Sequence, residues 1–164
     1  MTNIGLISDT HGWLDPTCLK YFANCDEIWH AGDLGIIAIA EELKVNKIFK
    51  AVYGNIDGYD VRSEYPEILV WNCEEVTVLM VHIGGYPPKY NSHSKKLIRE
   101  IKPQLFISGH SHILKIMYDA TNDCLHMNPG AAGKHGWHQM RTLIRFTIDG
   151  KEIKDCEVIE LGKR

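Results

Sequence analysis

Five times between residues 3 and 112 the chain passes through a short apolar run and leaves it on aspartate, asparagine or histidine. Asn3–Ile7 runs into Ser8-Asp9-Thr10-His11-Gly12. Asp26–His30 runs into Ala31-Gly32-Asp33, and Lys47–Val52 into Tyr53-Gly54-Asn55. Glu75–Val81 ends at His82, and Leu105-Phe106-Ile107 at Ser108-Gly109-His110-Ser111-His112. Positions 9, 33, 55, 82 and 110 follow one another at intervals of 22 to 28 residues, about one strand and one crossover each. Short apolar runs of this kind read as buried strands. Strands alternating with helices place their carboxyl ends along one sheet edge, where α/β proteins build sites. Glycine beside three of these positions permits unusual backbone angles and close approach.

The segments between fit that scheme. Residues 16–23 read as a short helix with Pro16 in its first turn, and 36–43 have apolar helical periodicity. The chain therefore reads β-α-β-α-β as far as the Asn55-Ile56-Asp57-Gly58 turn. Adjacent strands are expected at 67–71 and 75–81, around Asn72-Cys73-Glu74, and a loop at Tyr86–Tyr90. A basic amphipathic helix at 94–101, stopped by Pro103, presents Lys95, Lys96 and Arg99 as a solvated face. Strands at 114–118 and 124–127 flank a hairpin loop. Asn128–Gly133 is a tight loop, and a last hairpin, 141–148 with 152–159, turns at Asp149-Gly150. Residues 162–164 are expected to fray. Two mixed sheets packed face to face with helices outside accommodate both halves. One large mixed sheet is the alternative.

A chain of 164 residues suits one domain, residues 1–164. A net charge of −3 gives no general attraction to nucleic acid or anionic membrane. No apolar stretch approaches the ~18 residues of a membrane span. The first residues lack the basic and apolar regions of a signal peptide, so a cytoplasmic location is expected. The five cysteines contain no C-x-x-C pair and read as reduced, mostly buried thiols.

Taken together, Asp9, His11, Asp33, Asn55, His82, His110 and His112 offer two carboxylates, one amide and four imidazoles. Singly each is ordinary: a helix-capping Asp, a turn, solvated loop histidines. As a set they exceed one tetrahedral zinc and suit two divalent metals sharing a carboxylate. A nitrogen–oxygen set without thiolate fits manganese, iron, zinc, cobalt or nickel. Gly109-His110-Ser111-His112-Ile113 is not a nucleophile elbow, because Ile113 stands where the last glycine belongs. Gly130–Lys134 is not a phosphate-binding P-loop.

Asp-x-His, Gly-Asp, Gly-Asn, a lone strand-end His and Gly-His-x-His, in that order over residues 3–133, resemble the calcineurin-like metallophosphoesterases. The spacing is similar to their small bacterial and archaeal phosphodiesterase branch. The resemblance implies a four-layer αββα sandwich of two mixed sheets flanked by helices. It implies one metal on Asp9, His11 and His112, another on Asn55, His82 and His110, and Asp33 bridging them. Manganese is the first choice of metal. Asn55 would also orient a phosphate oxygen, and a hydroxide bridging the metals would attack in line. The implied partner is a phosphodiester small molecule or nucleotide, and the protein would be free to form a homo-oligomer.

Two departures stand out. Many members have a histidine after Gly-Asn to protonate the leaving oxygen, and here the residue is Ile56. His-Gly-His is replaced by His82-Ile83-Gly84-Gly85. Slow turnover, or a preference for diesters with good leaving groups, is the expected consequence. His93, His135 or His138 could supply the missing proton from a loop, and Lys134–His138 is a candidate substrate-contacting segment. The alternatives are a phosphomonoesterase and a protein-binding scaffold like the small subunit of retromer.

Overall fold

A computed structural model describes residues 1–164. The first three apolar runs are strands β1 (Thr2–Ile7), β2 (Glu27–His30) and β3 (Ile48–Ala51), joined through helices α1 (Thr17–Tyr21) and α2 (Ile37–Leu43). They pair in parallel, with Ile7 opposite His30 and His30 opposite Ala51, so their carboxyl ends lie level. Helix α3 (Tyr59–Glu64) follows, then the antiparallel pair β4 (Ile68–Cys73) and β5 (Val76–Val81). Next come a small hairpin, β6 (Gly85–Tyr86) and β7 (Lys89–Tyr90), and helix α4 (Ser92–Ile101). The chain ends with β8 (Leu105–Ile107), β9 (Leu114–Asp119), β10 (Cys124–Pro129), β11 (Met140–Asp149) and β12 (Glu152–Lys163).

There are two five-stranded mixed sheets, ordered β12-β11-β1-β2-β3 and β4-β5-β8-β10-β9. β8 lies parallel to both β5 and β10, so two crossovers also end in this sheet. The period-2 alternation of strands sorts side chains into layers. Ile4, Leu6 and Trp29 from the first sheet meet Val78, Met80, Leu105, Ile107 and Met127 from the second. Ile7 and Ile28 face the other way, toward Cys18, Phe22, Ile39 and Leu43. Behind the second sheet, Leu79, Val81 and Phe106 pack on Ile98 of α4. Trp29 is fully buried between the sheets and meets Trp71 edge-on at 4.8 Å. Its Nε1–H donates to Glu27 Oε2 at 2.7 Å.

The C-terminal hairpin adds β11 antiparallel to β1, which makes β1 the central strand of the first sheet. Three local expectations are corrected. β12 continues to Lys163, so this end is paired sheet rather than a frayed tail. Asn72 and Cys73 belong to β4, because the turn is formed by Glu74 and Glu75. Residues 86–90 form a paired hairpin rather than a loop. Helix α3 gave no sequence signal, since Val61 is its one buried residue. Four of the five free cysteines are buried, and Cys156 is exposed. No helix is long and apolar enough to cross a membrane.

Candidate metal centre

The seven polar residues come together at the shared edge of the two sheets. Five of them are held at positive φ: Asp9 (54°), His11 (49°), Asp33 (57°), His110 (66°) and His112 (58°). Such angles are uncommon for residues with a side chain and carry strain. Here the surrounding hydrogen bonds impose them. Asp9 N donates to Gly32 O (3.0 Å), His11 N to Asp33 O (3.0 Å) and Gly109 N to His82 O (2.9 Å), extending strand pairing past the strand ends. The glycines permit the crowding. A Cβ on Gly32 would lie 2.5 Å from His82 Nδ1, and one on Gly54 would lie 2.0 Å from Asp33 Oδ1.

Each carboxylate is held by one oxygen and presents the other. Asp9 Oδ2 accepts from Ser8 Oγ–H (2.6 Å) and His110 N–H (3.1 Å). Its Oδ1 is buried without a hydrogen-bond partner and lies 3.1 Å from His112 Nε2. Asp33 Oδ1 accepts from Ile56 N–H at 3.0 Å. Its Oδ2 lies 3.2 Å from His82 Nε2 and 3.7 Å from His11 Nε2. The imidazoles are set in the same way. His82 Nδ1–H donates to Ala31 O at 2.7 Å, which leaves Nε2 as a lone pair facing Asp33. His11 and His112 face each other Nε2 to Nε2 at 3.3 Å.

Two metal-competent triads result, Asp9-His11-His112 and Asp33-His82-His110. Asn55 Oδ1 joins the second, 2.9 Å from His110 Nδ1. Ligand atoms each ~2.1 Å from a common metal stand roughly 3.0–3.4 Å apart at right-angle to tetrahedral geometry. The closest contacts within each triad have this spacing. A buried carboxylate oxygen and a buried imidazole nitrogen, both without partners, are costly unless something binds them. The donor set therefore fits a pair of divalent cations, one at each triad.

The electrostatics are mutual. Burial opposes charge on His82, but the adjacent Asp9 and Asp33 carboxylates outweigh it and raise its pKa. Burial also opposes the Asp33 anion, and the neighbouring His82 and the Ile56 N–H reverse this and hold its pKa down. His11 and His110 are pushed down by burial, His110 further by the neighbouring His82. Neutral imidazoles and an ionised carboxylate are the forms that ligate.

Several supporting residues had no sequence signal. Asp57, read as part of a turn, is buried, and its carboxylate collects three backbone N–H groups. These are Gly35 (2.7 Å), Gly54 (2.7 Å) and Leu34 (3.2 Å), so it ties the loops carrying Asp33 and Asn55. Asn128 Nδ2 donates to Gly109 O (2.9 Å) and Ser111 Oγ (3.1 Å), fixing the His110–His112 loop. Asp15 and Arg141 form a buried ion pair at 2.6 Å beside the His11 loop, and Asp15 is held down to about 2 against its burial. Loop spacing cannot reveal these contacts, because all but the Gly54–Asp57 bond join segments distant in sequence.

The three candidate proton donors have different surroundings. His138 packs against His112, Nδ1 to Nδ1 at 3.3 Å, and its Nε2–H donates to Gly133 O at 2.9 Å. The His135 ring lies 5.0 Å from that of His11. His93 lines a cavity of about 370 Å³ together with Asn55 and His82. The Lys134–His138 segment thus braces the first triad, while Trp137 projects fully exposed. Ile56 is half exposed and contributes its backbone N–H to Asp33.

Residues 2–151 match the model of the calcineurin-like phosphoesterase superfamily domain. The chain belongs to that superfamily. It is 28% identical to a probable metallophosphoesterase of Methanothermobacter thermautotrophicus, over 97% of this chain and 92% of that one. It is 32% identical to another from Methanocaldococcus jannaschii, over 78% of this chain and 67% of that one. Among solved structures it resembles an archaeal phosphodiesterase, with TM-score 0.75 and 22% identity over 97% and 99% of the two chains. It also resembles zinc-bound Vps29 of Entamoeba histolytica, with TM-score 0.74 and 15% identity over 96% and 98%. Both sheets are mixed, and helices pack on their outer faces.

Proposed function

We propose that this phosphoesterase is a phosphodiesterase that works with two divalent metal ions, manganese first among them, on a small-molecule or nucleotide diester. The observation that carries the reading is Asp33 Oδ2, placed within 3.7 Å of both His82 and His11, one imidazole from each triad. Asp9, His11 and His112 would hold one ion, Asn55, His82 and His110 the other, and Asp33 would bridge them. Such a pair, when bound, acidifies water and neutralises phosphoryl oxygens. The protein's part is to fix the geometry. Ser8 and the His110 amide set Asp9, Ile56 N sets Asp33, and Ala31 O sets His82. The Asn55 amide would also orient a phosphoryl oxygen.

Ile56 cannot protonate a leaving group, which favours diesters whose leaving oxygen needs little help. His93, which shares a cavity with Asn55, would assist it. The five free thiols fit a reducing compartment such as the cytoplasm. Self-association finds support at edge strand β9, which exposes Ile116, Met117 and Tyr118.

Metal analysis, with hydrolysis of bis(4-nitrophenyl) phosphate and of 4-nitrophenyl phosphate under each added metal, tests the reading. Diester hydrolysis abolished in Asp33→Ala is expected. Absence of bound metal, with activity unchanged in that variant, would overturn it. The likeness to Vps29 keeps a scaffold reading alongside. A stoichiometric protein partner whose binding survives Asp9→Ala, in a protein inert toward both esters, would favour that one.

A further inference from the structure

A second cavity, of about 370 Å³, opens from the other side of the metal centre. It lies between the β6–β7 hairpin and the β9–β10 pair, and His110 stands in its wall. Its volume falls within the range of small-molecule sites. Because His110 belongs to one of the metal-competent triads, a phosphoryl group held there would have one ester arm directed toward this cavity or the one beside His93.

The walls are chemically distinct. Tyr86, Tyr90 and Ile83 supply flat apolar surface, Lys89 and Lys115 supply two ammonium groups, and no carboxylate lines the space. Lys115 Nζ sits 3.6 Å from the centroid of the Tyr86 ring, so cation and aromatic face share one wall. His126 forms the floor. It is fully buried, and neither of its ring nitrogens has a hydrogen-bond partner. At the lip, residue 84 can carry no side chain, because a Cβ there would lie 2.5 Å from Phe106 Cζ.

We propose that this cavity receives a nucleoside arm of the phosphodiester. A base has a planar face for the tyrosine wall, and carbonyl and ring-nitrogen acceptors for the two ammonium groups. Its edge also carries the donors and acceptors that His126 lacks. A plain alkyl arm would leave both lysines unused, and a second phosphate alone would leave the aromatic wall unused. The inference rests on the phosphodiesterase reading but is separable from it.

The test compares thymidine 5′-(4-nitrophenyl) phosphate with methyl 4-nitrophenyl phosphate, which share a leaving group and differ in the retained arm. With manganese-loaded protein, KM for the thymidine ester should be at least about tenfold lower, with kcat little changed. Tyr86→Ala should erase most of that advantage, and Lys115→Ala, on the edge strand, part of it. Equal KM for the two esters would overturn the nucleoside arm while leaving the phosphodiesterase reading intact. If neither ester is hydrolysed, the hydrolytic reading fails. Calorimetry of thymidine 5′-monophosphate then decides the cavity: binding weakened at least about fivefold by Tyr86→Ala supports it, and no binding, or binding unchanged in that variant, overturns it.

Discussion

His112 and His138 face each other Nδ1 to Nδ1 at 3.3 Å, and one arrangement of protons satisfies the pair. His138 Nε2 must donate to Gly133 O, which leaves its Nδ1 bare. His112 Nδ1 must then carry the hydrogen, and its Nε2 presents a lone pair toward Asp9 Oδ1. His138 therefore sets the tautomer of a candidate ligand from behind. His138→Ala should weaken metal binding at the Asp9 triad by about 10–100-fold. His138→Asn, which offers an oxygen near the Nδ1 position, should recover part of the loss. Metal titration by calorimetry reads both, and unchanged affinity in the alanine variant would refute the role.

The two histidines of Gly109-His110-Ser111-His112 point into different triads. His112→Ala should release one metal before the other, and His110→Ala should reverse the order. Metal-to-protein ratios measured during stepwise chelation separate the cases. Identical loss of both metals in the two variants would contradict the division.

Asp57 should be as important to stability as any core residue. Its removal in Asp57→Ala strands the N–H groups of Leu34, Gly35 and Gly54 in a buried setting. At about 1–3 kcal/mol for each donor left unsatisfied, a loss of about 3 kcal/mol or more is expected in denaturant titration. Asp57→Asn, which keeps one acceptor oxygen, should lose less. A loss under about 1 kcal/mol in the alanine variant would show that the loops are held by other means.

Acid should destabilise the fold before its carboxylates titrate. Burial pushes His126 down to about 4 and His30 down to about 3, so both stay neutral in the folded protein. The unfolded chain takes up their protons near the free-imidazole pKa of about 6.5, so stability is lost as pH falls from there toward 4. For His126 the loss by pH 4 is about 3 kcal/mol, at 1.36 kcal/mol per unit. His126→Phe, which keeps a ring against Phe106, should flatten the profile. Identical pH dependence of unfolding in the two proteins would exclude the effect.

The path from residues to site was uneven. β1, β2 and β3 were legible because each is an apolar run ending in a polar turn. The extent of β12 was not, since most of its residues are polar or exposed and only pairing with β11 holds it. α3 was invisible for the same reason: one buried valine sets no period. His138 was legible as a histidine near the site, but whether it donates to a substrate or braces His112 depends on contacts across 26 residues.

Which residue types end the strands, and how far apart they recur, can be read along the chain, because apolar runs and polar turns are local patterns. That was enough for strands alternating with helices and for a list of candidate ligands, while the choice of two sheets over one came from the family resemblance. Only the tertiary structure decided which oxygen of Asp9 and Asp33 is held and which is presented, and which imidazole faces which carboxylate. Those choices follow from left-handed backbone at five of the seven residues, and from hydrogen bonds joining segments as far apart as Asp9 and His110. Convergence of this kind is set by long-range packing, to which a local period is blind.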